Sequence, residues 1–198
     1  MGLEIEYLPG QTPLDHDELE GLKIPTITTR GELDEFEQQN IEHAVEWTLK
    51  NKFKADKILT VEFIKTLHKR MLGEVWRWAG EFRTTNKNLG VDKFEIPIEL
   101  RNLIDDTKYW IEKSVFKPDE IAIRFSHRIV KIHPFPNGNG RHSRLIGDIL
   151  ANHVFSHDVF SWGGENLETK GEARALYLQA LHEADKNNYT KLIHFARQ

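Results

Sequence analysis

Apolar residues recur at steps of three and four positions along most of this chain, and that spacing is typical of amphipathic α-helices. The first such run follows Thr28 and Thr29, either of which can cap a helix that extends to Asn51. The same pattern predicts further helices at 60–73, from Pro97, at 118–133, from near Arg141, at 176–184 and at 192–195. The sequence therefore predicts an all-α fold.

Two segments depart from this helical pattern. Residues 1–27 contain three prolines and little hydrophobic periodicity, which predicts an extended N-terminal arm over the domain surface. Residues 83–96 place turn-forming asparagine and glycine residues between threonine, valine, phenylalanine and isoleucine, which predicts a small β-hairpin. Because the sequence shows no repeat and no linker, residues 28–198 are predicted to form a single helical domain.

The composition excludes several classes of function. The 198 residues include no cysteine, which excludes thiolate nucleophiles and cysteine zinc sites and favours a cytoplasmic protein over a disulfide-dependent secreted one. A net charge of -4 provides no overall basic field and argues against a nonspecific nucleic-acid binder. No apolar run approaches the roughly 20 residues of a membrane span, so we expect no membrane contact. The sequence makes no prediction of oligomeric state.

The segment HPFPNGNGRHSR, residues 133–144, carries the chemistry of the chain. Pro134 and Pro136 end the preceding helix, while Gly138 and Gly140 can adopt positive φ and allow the backbone to approach a ligand closely. A helix then begins, and its N-terminal N–H groups and dipole favour an anion at that point. The pattern predicts an anion-binding loop.

Three side chains add to this loop. Arg141 and Arg144 lie three residues apart on one helix face, so both guanidinium groups can bind a polyphosphate. His133 stands at the other end of the loop, and an unperturbed imidazole pKa of about 6.5 leaves it largely neutral and suited to act as a general base. This arrangement indicates phosphoryl or nucleotidyl transfer.

The motif in residues 133–144 resembles the signature of the Fic (filamentation induced by cAMP) family, His-x-Phe-x-Asp/Glu-Gly-Asn-Gly-Arg-x-x-Arg, at every specified position but one. WAGEFR at 78–83 and RFSHRIVKIHPF at 124–135 are also similar to family members. YLQALHEAD at 177–185 and ELDEFEQQNI at 32–41 resemble the subgroup called mobile mystery protein B. The resemblance covers most of the chain after the arm and implies a Fic-type helical bundle with the hairpin as a flap.

This resemblance implies transfer of AMP from ATP, with Mg²⁺, to a Ser, Thr or Tyr hydroxyl of a target protein. His133 would deprotonate that hydroxyl, and Phe135 would anchor the loop in the core. The implied nucleotide-binding residues are Gly138, Asn139 and Gly140 around the transferred phosphate, Arg141 on phosphate and Arg144 on the terminal phosphates. The implied target-docking residues of the flap are Asn88, Leu89, Gly90 and Val91.

The one departure from the signature is Asn137, where the family has an acidic Mg²⁺ ligand. An amide oxygen can still coordinate this hard cation, but without the negative charge that strengthens binding. Several readings stay open: weaker Mg²⁺ dependence, transfer of another nucleotide or a phosphate, removal of AMP, or a catalytically silent nucleotide-binding or toxin-antitoxin-like module. Because Gly138 and Gly140 are kept, AMP transfer is favoured over the phosphorylating branch of the family.

Many Fic proteins carry an inhibitory helix, Ser/Thr-x-x-x-Glu-Gly/Asn, whose glutamate pairs with the second arginine of the loop. Thr28 and Glu32 match part of this pattern, and Glu37 stands near Asn40 without the preceding hydroxyl residue. We hypothesise that Glu37 or Glu32 pairs with Arg144 in an autoinhibited state. The alternative is a solvated acidic helix face.

Overall fold

The computed structural model describes residues 13–164, 167 and 171–198. Within them, several helices begin at a capping threonine or at a proline in the first turn. Thr29 caps one helix: its hydroxyl accepts a hydrogen bond from the Glu32 N–H (3.3 Å), and the Glu32 carboxylate accepts one from the Thr29 N–H (3.0 Å). Thr60 caps another by accepting from the Phe63 N–H at 3.1 Å. These caps satisfy N–H groups that a helix leaves without internal partners, and both predicted helix starts are confirmed.

The helices follow one another along the chain, with a long connection at 73–95. In order they are α1 His16–Leu19, α2 Arg30–Lys50, α3 Ala55–Ile58, α4 Val61–Leu72, α5 Ile96–Lys113, α6 Pro118–Ile132, α7 Asn139–Ile149, α8 Glu172–Asp185 and α9 Thr190–Arg197. Leu150–Val154 continues α7 as a π-helical turn, and Trp162–Gly164 forms a 3₁₀ turn. The short helices α1 and α3 were not predicted, because four residues are too few to show a period. Within the described ranges, no helix is long and apolar enough to cross a membrane.

Helix α6 lies at the centre of the molecule and packs against α5 and α7, with further contact to α9. It is buried on several faces, through Ile121, Ala122, Ile123, Phe125, Ser126, His127, Ile129 and Ile132. Full burial of one large aliphatic side chain stabilises a fold by about 1.5–3 kcal/mol. The connection from α6 to α7 is therefore held between two firmly packed helices, and we call residues 133–138 the α6–α7 loop.

Residues 13–27 of the predicted arm lie over the segment that follows α4. The Lys23 N–H donates to the Val75 carbonyl and the Arg77 N–H to the Gly21 carbonyl, both at 2.8 Å, around an isolated β-bridge between Leu22 and Trp76. The arm is not extended throughout, because α1 interrupts it. Residues 1–12 of the predicted arm lie outside the described residues.

The predicted β-hairpin is not confirmed, since residues 83–95 show no strand ladder. Side chains make the cross-connections instead. The Arg83 guanidinium donates to the carbonyls of Thr85 (2.8 Å) and Val91, and the Asn86 amide donates to the Asp92 carboxylate at 2.7 Å. Asn and Asp side chains compete with backbone ladders in this way. We call residues 83–95 the flap loop.

Candidate active site

The α6–α7 loop begins and ends in left-handed backbone conformations. His133 has φ 56° at the C-terminus of α6, and Gly138 has φ 75° at the N-terminus of α7. A Cβ atom on Gly138 would lie 2.5 Å from Leu72 Cδ1, so both the conformation and the space require glycine. A histidine with positive φ is uncommon, and such residues cluster at functional sites.

Asn139 ties the loop to itself. Its side-chain amide donates to the Phe135 carbonyl at 2.8 Å, and its Oδ1 accepts from the Phe135 N–H at 3.0 Å. Phe135 is fully buried, and its ring stacks on the ring of His68 with centroids 3.7 Å apart. The structure thus places Phe135 in the core beneath the loop, and it leaves only the Asn139 backbone for contact with a ligand.

His68 supports the loop from α4. Its Nδ1 accepts from the Gly80 N–H at 2.9 Å, so Nε2 carries the proton that is donated to the Asn137 carbonyl at 3.0 Å. Burial, followed by the neighbouring His142, holds the pKa of His68 well below its ordinary value. Sequence reasoning did not connect His68 with the loop, because the contact spans 69 positions.

His142 lies beside this pair on α7. Its Nε2 donates to the Ile64 carbonyl at 3.0 Å, whereas its Nδ1 is buried without a hydrogen-bond partner within the described ranges. Burial lowers the pKa of His142 to about 4. A neutral aromatic cluster of His68, Phe135 and His142 therefore underlies the loop.

His133, the predicted base, is 6% exposed at the rim of a cavity. Burial lowers its pKa to about 4, and the positive charge of Arg83 acts in the same direction, while a hydrogen bond with the Val130 backbone acts in the opposite one. The imidazole is therefore neutral at neutral pH, and the neutral fraction is larger than it would be at the unperturbed pKa. A neutral imidazole is the form that accepts a proton.

Arg83 joins the flap loop to the α6–α7 loop. Its Nε donates to the His133 carbonyl at 2.7 Å, and its backbone N–H donates to the Pro134 carbonyl at 2.9 Å. Gly90 lies so close that a Cβ there would be 2.6 Å from the His133 Cβ. Arg83 is 3% exposed and was missed as a site residue, although it ends the WAGEFR segment.

The structure corrects the pairing expected for the two glutamates. Glu37 Oε2 lies 2.6 Å from Arg141 Nη1, the first arginine of the motif rather than the second. Glu32 caps α2 instead, where its carboxylate accepts from the Thr28 N–H at 2.8 Å, and backbone hydrogen bonds lower its pKa. Neither glutamate has the predicted contact with Arg144, because one faces the start of α7 and the other serves the helix N-terminus.

A cavity of about 750 Å³ opens between the α6–α7 loop, the flap loop and α8. This size is within the range of small-molecule sites. The Arg144 guanidinium carbon lies 5.6 Å from the Tyr177 ring centroid. The predicted residues that line the cavity are His133, Asn137, Gly138, Asn139, Gly140, Arg141, Arg144, Leu89, Gly90 and Val91, and the facing wall includes Lys131, Tyr177, Leu178, Leu181 and Asp185.

The residues present do not fit a preformed Mg²⁺ site. The Asn137 Oδ1 already accepts from the Gly138 N–H at 2.6 Å. In the part of the chain that the structure describes, no group of three or more His, Cys, Asp or Glu side chains could hold a metal ion. Mg²⁺ in proteins usually has one or two carboxylate ligands together with substrate phosphates.

Further along α7, Asp148 is a buried acid. Its Oδ1 accepts from the Phe160 N–H (3.1 Å) and from the Trp162 indole N–H (3.0 Å). Burial raises the pKa of Asp148 to about 7, although these two hydrogen bonds act in the opposite direction. The carboxyl group therefore changes its charge near neutral pH.

Proteins with Fic domains are similar to this chain in sequence and in structure. Residues 58–151 match the model of the Fic/DOC family. The chain is 34% identical over 107 residues to a curated relative, "Protein adenylyltransferase Fic" of Aedes aegypti, in a match that covers 52% of this chain and 21% of that protein. It therefore spans about a fifth of the length of this relative.

Two solved structures have similar folds. One is the N-terminal Fic domain of a cell filamentation protein from Bartonella quintana, with a TM-score of 0.68, 17% identity, and coverage of 87% of this chain and 84% of that one. The other is the BepC protein of Bartonella tribocorum with bound AMPPNP, with a TM-score of 0.65, 17% identity, and coverage of 92% and 97%. At this identity the likeness shows the fold.

Proposed function

We propose that the protein is an adenylyltransferase that moves AMP from ATP to a hydroxyl side chain of a target protein, and the match of residues 58–151 to the Fic/DOC family model supports this proposal. One observation carries the proposal: a neutral, nearly buried His133 at the rim of a cavity that also contains Gly138, Arg141 and Arg144. A base and an anion site in one cavity are what this transfer requires.

His133 is the general base of the proposed reaction. The target hydroxyl oxygen attacks the α-phosphorus of ATP and forms a P–O bond, its proton passes to the imidazole, and pyrophosphate leaves with the electrons of the broken P–O bond. The left-handed backbone at His133 and the hydrogen bond from Arg83 Nε to its carbonyl hold the imidazole at the rim. Orientation of this kind can contribute as much as the proton transfer itself.

The start of α7 is the proposed phosphate site. The turn at Gly138 begins an 11-residue helix, whose first N–H groups and dipole favour the phosphate that carries the transferred AMP. Arg141 and Arg144 line the same cavity and supply cations for the remaining phosphates. The nucleoside would lie against the opposite wall, where Tyr177, Leu178 and Leu181 offer apolar surface.

The flap loop is the proposed site for the target. Leu89, Gly90 and Val91 line the cavity, and Gly90 comes close to His133. A target segment that pairs with the backbone here would bring its Ser, Thr or Tyr hydroxyl toward the base. The absence of a strand ladder within the flap loop is compatible with pairing that forms only when a target binds.

Asn137 leads to a second proposal, on the metal. Because its amide brings no negative charge, ATP affinity should depend weakly on Mg²⁺ and strongly on the arginines. Removal of Mg²⁺ with EDTA is expected to change the ATP dissociation constant little in the wild type and more in Asn137→Asp. Equal metal dependence of the two proteins would contradict this proposal.

Labelled ATP tests the transfer reaction. Purified protein is incubated with ATP labelled at the α-phosphate or at the γ-phosphate, alone and with candidate target proteins, beside His133→Ala. His194→Ala, which replaces an exposed histidine on α9, is the matched control. We expect α-label on protein that is lost in His133→Ala and kept in His194→Ala.

Other outcomes identify the alternatives. Label from the γ-position alone would indicate phosphorylation, and release of AMP from a modified protein would indicate the reverse reaction. ATP binding without covalent label would favour a silent nucleotide-binding or toxin-antitoxin-like module. This module is the second candidate function because Asn137 lacks the negative charge that strengthens Mg²⁺ binding. We also propose a cytoplasmic location, supported by the cysteine-free composition, and the likeness to mobile mystery protein B stays a prediction.

A further inference from the structure

We infer that Glu37 holds Arg141 in the position that ATP binding requires. Glu37 is thus a positioning residue and not an inhibitory one. The inference rests on the proposed function, because it assigns Arg141 to the phosphates of ATP. It reverses the expected sign of a substitution at Glu37: loss of the carboxylate should weaken nucleotide binding, whereas loss of a brake would strengthen it.

Both oxygens of the Glu37 carboxylate are engaged. Oε2 lies 2.6 Å from Arg141 Nη1, and Oε1 accepts a hydrogen bond from the Trp76 indole N–H at 2.6 Å. The Glu37 side chain is 4% exposed and that of Arg141 14%. A carboxylate so enclosed is stable only with such partners, and removal of one partner leaves a poorly solvated charge.

The helix that carries Glu37 is fixed as well. One turn later, the Asn40 amide donates to the Arg70 carbonyl at 2.8 Å, and its Oδ1 accepts from the Glu74 N–H at 2.9 Å. Leu33 and Ala44 on the same helix are each 1% exposed. An inhibitory glutamate must leave its arginine when the enzyme becomes active, and here, with α2 fixed, the buried Glu37 would have to give up its bond to Trp76 as well. The packing therefore favours a permanent contact.

A permanent contact assists binding by restricting Arg141. An arginine side chain has many rotamers, and a ligand that fixes it must offset the lost freedom. The bond to Glu37 fixes the guanidinium beside the cavity before a nucleotide arrives. Arg144 lines the same cavity and adds a second guanidinium group from α7.

The test compares ATP affinity and transfer in the full chain and in Glu37→Gln. The glutamine keeps an oxygen for the Trp76 indole and removes the charge that holds Arg141. We expect the ATP dissociation constant, measured by calorimetry, to rise about tenfold, and KM for ATP to rise more than kcat falls. Glu35→Gln is the control, because it removes one carboxylate from an exposed position of the same helix: its ATP affinity should stay unchanged.

Each other outcome has a defined meaning. A wild-type chain that does not bind ATP overturns the proposed function and this inference with it. Wild-type binding with unchanged affinity in Glu37→Gln overturns this inference alone, and increased transfer in that variant shows a brake. If Glu37→Gln does not fold, Trp76→Phe replaces it: the ion pair stays but loses one support, so the dissociation constant should rise about threefold, and an unchanged value overturns the inference.

Discussion

The α6–α7 loop and the flap loop meet at His133, but they are held by different kinds of interaction. Neutral, buried groups hold the α6–α7 loop, through the two hydrogen bonds of Asn139 and the stacking of Phe135 on His68. Charged groups hold the flap loop. Lys87 Nζ lies 2.8 Å from an Asp15 carboxylate oxygen and 2.5 Å from one of Glu18.

This difference suits the two halves of the proposed reaction. ATP presents the same phosphates in every cycle, so its loop gains from a fixed shape. Target proteins present varied segments, and the flap loop can adjust to them at lower cost, because apart from Arg83 its residues are exposed or only partly buried and it is held by a few side-chain bonds. The following predictions examine this contrast, beginning with the largest expected effect.

Asn139→Ala should damage the α6–α7 loop most. The substitution leaves the buried Phe135 N–H and carbonyl without their partners, which should reduce the free energy of unfolding by about 2–4 kcal/mol and abolish ATP binding. Thermal unfolding and ATP calorimetry measure both effects. Asn88→Ala, at an exposed position of the flap loop, should change neither. Retention of ATP binding in folded Asn139→Ala would contradict the rigid-loop interpretation.

Sequence predicts well the features that depend on neighbours in the chain. Thr29 and Thr60 begin helices where expected, because a cap is a contact over three residues. The turn at Gly138, with its positive φ at the start of α7, follows from glycine and proline chemistry in the same way. These features need no knowledge of the tertiary fold.

Features that depend on distant contacts were missed or misassigned. Glu37 was expected to pair with Arg144, but the packing of α2 brings it to Arg141, and no local spacing encodes that choice. The predicted hairpin is not confirmed in the flap loop, where the Arg83 side chain binds the Thr85 and Val91 carbonyls and the Asn86 side chain accepts from the Lys93 N–H. Both outcomes were decided by side chains whose partners only the fold supplies.

Arg83→Lys should impair transfer to a protein target without impairing ATP binding. A lysine cannot reproduce the guanidinium contacts with His133 and Val91, so we expect a loss of about 1–3 kcal/mol in stability and a fall of about tenfold in transfer to a protein target. ATP affinity should stay within about twofold, since Arg83 does not line the cavity. A parallel loss of ATP affinity would show that the loops act as one unit.

Asp148→Asn, a substitution on α7, should change how the stability of the fold depends on pH. The pKa of Asp148 is raised from 3.8 to about 7 in the folded protein, so the wild type is most stable at low pH and loses this contribution as the pH rises from about 4 to about 7. Asparagine keeps the acceptor for Phe160 and Trp162 without the charge. The variant should therefore be more stable than the wild type above pH 7, with the difference vanishing near pH 4. A constant difference in melting temperature across this range would contradict the assignment.

Lys87→Met should have the smallest effect, and that effect should be limited to the flap loop. Methionine keeps an apolar side chain in the nearly buried position but removes the bonds to Asp15 and Glu18, and because the Asp15 carboxylate stays half exposed to water, a loss of about 1 kcal/mol is expected. Hydrogen bonds from Lys87 and Thr85 lower the pKa of Asp15, so the contribution of this contact is present at neutral pH and is lost as the pH falls below about 4. Transfer to a target in 0.5 M salt should fall in the wild type and change less in the variant, because salt screens the contact of Lys87 with the half-exposed Asp15. Equal salt sensitivity of the two proteins would show that another charge controls the flap loop, and the contrast with the α6–α7 loop would then rest on Arg83 alone.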